Sequence, residues 1–169
     1  MSTRHLAERT VQTIEDHIKA NLPAALTALN TDRADDEANC EDVKTFFTYA
    51  PASLYRLPAI FTVCQNIDFR KQNGQNFVQP SVDITVSCVT TARKRELTQK
   101  KTWRYQAALH ELLDNTSLSA AGDKVKITSI VTAATFSQVF TDSDDKTLPR
   151  GTWAQEVALT LEVEHYENF

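Results

Sequence analysis

Residues 59–69, AIFTVCQNIDF, and residues 82–91, VDITVSCVTT, decide the fold. Both are rich in β-branched and aromatic side chains, and both alternate. Ile60, Thr62 and Cys64 mark one side of the first stretch; Val82, Ile84, Val86 and Cys88 oppose Asp83, Thr85, Ser87 and Val89 in the second. A period of two in such residues is that of a half-buried strand. Between them runs KQNGQNFVQP, residues 71–80, where Asn73-Gly74 supplies the positive φ angles of a tight turn. The pattern predicts a long antiparallel hairpin whose tip projects beyond the sheet.

Outward from the hairpin the period becomes helical on both sides. Val11, Ile14, Ile18, Leu22, Leu26 and Leu29 recur at spacings of three and four, one apolar helical face. This predicts a helix over Thr3–Asn30, kinked near Ala20, with Asn21 capping a second short helix and Pro23 in its first turn. A second helix is predicted over Arg93–Leu113, with Leu97, Tyr105, Ala108, Leu109 and Leu112 on its apolar stripe. The acidic stretch from Asn30 to Lys44 reads as a solvated loop. Phe46, Phe47 and Tyr49 form a brief aromatic run, and Pro51 and Pro58 bracket an irregular passage. After Gly122, strand character returns over Val125–Thr132, with a candidate strand at Phe136–Phe140. Trp153–Tyr166 ends the chain with Val157, Leu159, Leu161 and Val163 alternating against Glu156, Thr160, Glu162 and Glu164. The expected fold is α+β, a mostly antiparallel sheet with a long hairpin, flanked by an N-terminal and a central helix in a single domain spanning 1–169.

The composition fits such a domain. The chain has 169 residues, 41% apolar and 24% charged, which excludes disorder of the whole. A net charge of -4 argues against a general nucleic-acid binder. Cys40, Cys64 and Cys88 are widely spaced without a C-x-x-C, so neither a zinc knuckle nor a redox pair is suggested, and an odd count fits a reducing cytosol. Cys64 and Cys88 are expected as small buried hydrophobes, and Trp103 and Trp153 as packing residues. Charges throughout Met1–Ala20 exclude a signal-peptide core, and no apolar stretch approaches the roughly 20 residues of a membrane helix.

Catalytic chemistry is hard to assemble from this sequence. The glycines at 74, 122 and 151 are isolated, whereas phosphate-binding loops need them clustered. His110 and Asp114 share a helical face at ligand spacing, but no second histidine pair accompanies them. The acidic runs Asp32–Asp42 and Asp142–Asp145 lack the glycine and glutamate positions of an EF-hand loop. The segment ARKRELTQKKTWR places Arg93, Lys100 and Arg104 on one helical stripe, suited to an acidic partner face or to phosphate, or serving only as a charged outer surface. With acidic loops elsewhere in the chain, separate basic and acidic patches would pair neighbouring copies head to tail. No enzymatic activity, cofactor or metal is expected.

The arrangement resembles the tail-terminator and tail-completion (neck) proteins of tailed bacteriophages and related contractile particles. The residues that carry the resemblance are the helix TVQTIEDHIKANLPAALTAL, the hairpin AIFTVCQNIDF…VDITVSCVTTA, the helix LTQKKTWRYQAALHELL and the final strand WAQEVALTLEVEHY. The resemblance implies a structural virion protein without an active site, assembled in the host cytoplasm. It would form a ring, usually a hexamer, at the head-proximal end of the tail, ending tube growth and joining the tail to the head connector. Its implied partners are further copies of itself, the tail tube protein, and connector or sheath proteins; DNA passes through the channel without specific binding, and no membrane is involved. The expected interface residues are Lys71, Asn73, Gly74 and Phe77 at the hairpin tip and Arg93, Lys100 and Arg104 on the central helix. Two other classes compete. One is a small-ligand-binding or enzymatic α+β domain using His110, Asp114 and Tyr105; the other is a nucleic-acid-binding module using Arg93–Arg104.

Overall fold

A computed structural model of the chain describes residues 5–33, 36–49, 56–71, 78–92, 94–120, 123–131, 137–140 and 153–166. The order is α1 (Leu6–Arg33), a 3-10 turn (Asp36–Ala38), β1 (Thr45–Phe47), β2 (Ala59–Lys71), β3 (Val78–Ala92), α2 (Arg95–Leu113), β4 (Ser117–Ala120), β5 (Asp123–Val131), β6 (Ser137–Phe140) and β7 (Trp153–Tyr166). The strands form one seven-stranded sheet ordered β1-β2-β3-β7-β5-β4, with β6 also on β7. Every pairing is antiparallel except β1 with β2. The fold is α+β, as the alternation predicted. Two strands add to the sequence reading: the aromatic run at Phe46 is the parallel edge strand β1, and β4 forms the other edge.

The hairpin β2–β3 is regular from Ala59↔Val89 to Cys64↔Ile84, then slips between Cys64 and Asn66 and continues to Lys71↔Val78. The slip has a sequence cause. Ile60 and Thr62 face the helices, and a strict period of two would turn Ile67 outward; one unpaired residue, Gln65, brings Ile67 back opposite the buried Val82. On the other side of β3 runs β7, whose far edge is shared by β5 and β6 end to end, with Val131↔Thr160 followed by Ser137↔Glu156.

One face of the sheet is the core. Val82, Ile84, Val86 and Cys88 of β3 join Val157, Leu159, Leu161 and Val163 of β7 beneath Ile14, Ile18, Leu22 and Leu26 of α1 and Tyr105, Leu109 and Leu113 of α2. Each large aliphatic buried this way stabilises the fold by roughly 1.5–3 kcal/mol. The other face holds a smaller cluster of Ala59, Phe61, Val89 and Ala154 at one end. Beyond it lie the half-exposed Asp83, Thr85, Ala158, Thr160, Glu162 and Glu164.

Both helices differ in detail from expectation. The first is continuous from Leu6 to Arg33 with Pro23 inside it, so no break or cap occurs at Asn21. Pro23 is solvent-exposed, and the Asn21 amide donates back to the His17 carbonyl at 2.9 Å instead of capping a new helix. Burial of Ile18, Leu22 and Leu26 on either side outweighs the missing amide. In α2 the buried stripe is Thr98, Thr102, Tyr105, Ala108, Leu109 and Leu113, while Leu97 and Leu112 are half-exposed. Two threonines hold core positions because each hydroxyl bonds back along the helix, Thr98 to the Lys94 carbonyl at 3.1 Å and Thr102 to that of Thr98 at 2.8 Å. The helix starts at Arg95; Arg93 lies outside the described residues. It ends at Asp114, and Asn115 at φ 51 takes the left-handed conformation that turns the chain into β4.

Candidate subunit interface

The acidic stretch after α1 is not a solvated loop throughout. Asn30 holds it at one point from both sides, its amide donating to the Cys40 carbonyl and its carbonyl accepting from the Cys40 amide, each at 2.9 Å. Ala38 is fully buried and Cys40 nearly so. Farther on, the Tyr105 hydroxyl donates to the Glu41 carbonyl at 2.6 Å, and the Lys101 ammonium lies 3.3 Å from the Glu41 carboxylate. An Arg104 guanidinium nitrogen is 3.5 Å from the Asn39 side-chain oxygen. The segment is thus a strap across α2, tied to it through Asn39 and Glu41, while Glu37 and Asp42 stay exposed to solvent. One ion pair, Lys101 with Glu41, joins the acidic segment to the basic helix.

The strap sets the local electrostatics. Burial pushes the Cys40 thiol up to about 11, against the opposing pull of Arg104 and Lys101. Burial likewise drives the Tyr105 phenol far upward, so it remains a hydrogen-bond donor. Cys88 is fully buried and its thiol raised for the same reason. Cys64 differs from expectation: it lies only partly buried beside the bulge, with its sulfur 3.6 Å from the Asn66 carbonyl.

Beyond the strap, α1 and α2 enclose an open groove of about 390 Å³ lined by Leu29, Arg33, Lys100, Trp103, Arg104 and Ala107. Trp103, expected as a packing residue, is 49% exposed. Lys100 and Arg104 therefore do share a helix face, and the Lys100 ammonium lies 3.6 Å from the Glu96 carboxylate one turn earlier. Arg33 and Trp103 complete the groove and were missed. A signal for Trp103 was present: Lys100, Trp103, Arg104 and Ala107 follow the spacing i, i+3, i+4, i+7 of one helical stripe. Arg33 carried none, because only the packing of α1 on α2 brings it there.

The second feature is the arm made by the distal hairpin. β7 accompanies β3 only from Ala92 to Ser81, whereas β2 and β3 stay paired to Lys71↔Val78. On the outer side β1 covers only Ala59–Phe61 of β2. Among the described residues no strand pairs with the outer edge of β2 beyond that point. A groove of about 320 Å³ between this edge and α1 is lined by Val11, Gln12, Thr48, Val63 and Cys64 among others. Lys71 closes β2 at the end of the arm; Asn73, Gly74 and Phe77 lie outside the described residues.

The residues of the ligand-binding alternative are not gathered into a site. Tyr105 is 1% exposed and gives its hydroxyl to the strap. Asp114 ends α2, its amide donating to the His110 carbonyl at 2.9 Å. Among the described residues no group of histidine, cysteine and carboxylate side chains is placed to hold a metal.

Neither a protein-family model nor a curated protein matches the chain. Among solved structures it is similar to a chain described as "Virion of native gene transfer agent (GTA) particle", with 13% identity and a TM-score of 0.35 over 72% of this chain and 79% of that one. A likeness of this size fixes neither fold nor role.

Proposed function

We propose that the chain is a structural subunit of a virion, assembling as a ring at the head-proximal end of a phage tail. There it ends tube growth and joins the tail to the head connector, and it turns over no substrate. The observation that carries this reading is the arm. A paired hairpin extending past β7, whose outer β2 edge pairs with no strand among the described residues beyond Phe61, is a ready surface for strand-to-strand contact with a neighbouring subunit. The order of long helix, hairpin, second helix and closing strand is the one that the tail-terminator resemblance implies. A net charge of -4 suits a subunit past which DNA slides without binding.

The test is electron microscopy and native mass spectrometry of the purified protein, with immunolabelling of particles from the producing phage. Closed rings, near 114 kDa if six 19.0 kDa chains assemble, and label at the neck are the expected results. Particles that lack the chain overturn the reading.

A further inference from the structure

The helix-free face of the sheet carries an arrangement that the isolated fold does not explain. Asp83 of β3 stands directly opposite Glu162 of β7, one acidic residue facing another across neighbouring strands. Glu164 lies one same-face position along β7, opposite Ser81, and Asp68 stands opposite Ser81 on β2. Like charges placed directly across a strand pair destabilise the sheet. Lys126 of β5, opposite Glu164, offsets part of this at the flank, where the Tyr166 hydroxyl also donates to the Glu164 carboxylate at 2.6 Å. The neighbours of Asp83 and Glu162 on their own row are neutral, Asn66 and Ser129, the Ser129 hydroxyl lying 3.4 Å from the Glu162 carboxylate. Beside the acidic rows the same face is floored by small side chains, Thr85, Ser87, Ala158 and Thr160. Among the described residues no helix packs on it.

The outer side of the helical layer is the converse surface. Arg33, Lys100 and Arg104 surround the exposed Trp103. Lys100 and Arg104 are four residues apart, about 6.0 Å along the axis, and successive same-face positions such as Glu162 and Glu164 are about 6.8 Å apart. Cations on a helix thus match carboxylates on a strand in spacing as well as sign, and a tryptophan meets a floor of small residues.

We infer that the acidic sheet face of one copy docks on the Arg33–Lys100–Trp103–Arg104 groove of a second copy. The contact repeats, between molecules, the helix-on-sheet layering within each one. Because the two surfaces differ and lie on opposite layers, the interface is heterologous and adds copies head to tail. The inference rests on the reading of the chain as a ring-forming subunit and names which surfaces meet.

Two variants of the full chain test it. Arg33→Glu with Lys100→Glu reverses the groove and leaves the Arg104 contact to the strap intact. Asp83→Lys with Glu162→Lys turns the central pair of the sheet face cationic and keeps like charge opposite like charge on that row. Circular dichroism first establishes that both fold; Trp103→Ala is the groove substitution to use if the reversal does not. Sedimentation at 50 mM salt should show each variant alone self-associating about 100-fold more weakly than wild type. An equimolar mixture of the two reversals should recover association, since each then offers the other a complementary surface on both sides. Wild-type association should weaken as salt rises to 500 mM. Wild-type association unaffected by either variant, or a mixture that stays as weak as its components, overturns this assignment of surfaces and leaves a ring built some other way. A wild-type chain that stays monomeric at 1 mM and low salt overturns the interface, whereas the virion role falls only if particles lack the chain.

Discussion

Tyr105 of α2 donates its hydroxyl to the backbone carbonyl of Glu41 across 2.6 Å, joining the core of the helical layer to the acidic strap that crosses it. The ring is 1% exposed, so one side chain serves both as a core residue and as the strap's anchor. Tyr105→Phe keeps the packing and removes the bond. The expected cost is about 1 kcal/mol, a fall of roughly 2–4 °C in melting temperature. An unchanged melting temperature would show that the bond adds nothing to folding.

Asn30 fixes the near end of the same strap through both polar groups of its amide. Asn30→Ala removes both bonds and exposes the amide and carbonyl of Cys40 to competition from water. The Cys40 thiol, raised to about 11 by burial, reacts slowly at pH 8 in the intact chain. In Asn30→Ala its labelling rate should rise at least about 10-fold, while Cys88, fully buried beneath the helices, stays protected. Cys64, partly exposed in both proteins, should label first. Thiol counting with mass-spectrometric assignment reads all three sites.

Stability should fall in alkali. The unfolded Cys40 thiol loses its proton near 9.0 and the folded one near about 11, so in that window the unfolded state binds fewer protons. The contribution of Cys40 is therefore complete below pH 9 and is lost as pH rises towards 11, at about 1.4 kcal/mol per pH unit for the group. The raised thiol of Cys88 and phenol of Tyr105 act in the same direction. Urea midpoints between pH 8 and pH 10.5 should decline, and less steeply in Cys40→Ala. A midpoint that rises over this range contradicts the assignment of buried, protonated thiols.

Pro23 sits exposed within a continuous helix, where its ring takes away one hydrogen bond and gives no buried contact in return. Pro23→Ala should stabilise the protein, by up to about 3 kcal/mol, without altering assembly. Calorimetry would show a higher melting temperature; a lower one would mean that the proline shapes α1 to fit the sheet.

The sequence showed the sheet well where one face is buried and poorly where it is not. β3 alternates over Ser81–Val86 and β7 over Val157–His165 because the helices cover one side of each, and every expected inward residue of Val82–Cys88 and Val157–Val163 is in the core. Short edge strands bury little, so β1 and β4 left no period to read. The bulge at Gln65 interrupts the alternation of β2 and becomes intelligible only through its register against β3. In α2, Thr98 and Thr102 occupy the buried stripe in place of Leu97 and Leu112, because a hydroxyl satisfied within the helix packs as a small hydrophobic group.

For the candidate interface the division is similar. Lys100 and Arg104 were legible as a stripe on one helix, since local spacing fixes which residues share a face. Arg33 joins them only through the crossing of α1 on α2, and Asp83 meets Glu162 only because β7 returns from the end of the chain to pair with β3. By itself the sequence determined the α+β class, the long hairpin, and the inward and outward faces of its longest strands. Periodicity is a local consequence of burial, and the covalent chain carries it directly. Tertiary structure decided that the acidic segment straps the basic helix, that Trp103 lies outside, and that acidic residues distant in the chain face each other across neighbouring strands. Those relations depend on which elements pair and in what register, and pairing is set by the burial of the whole core, which no single segment encodes.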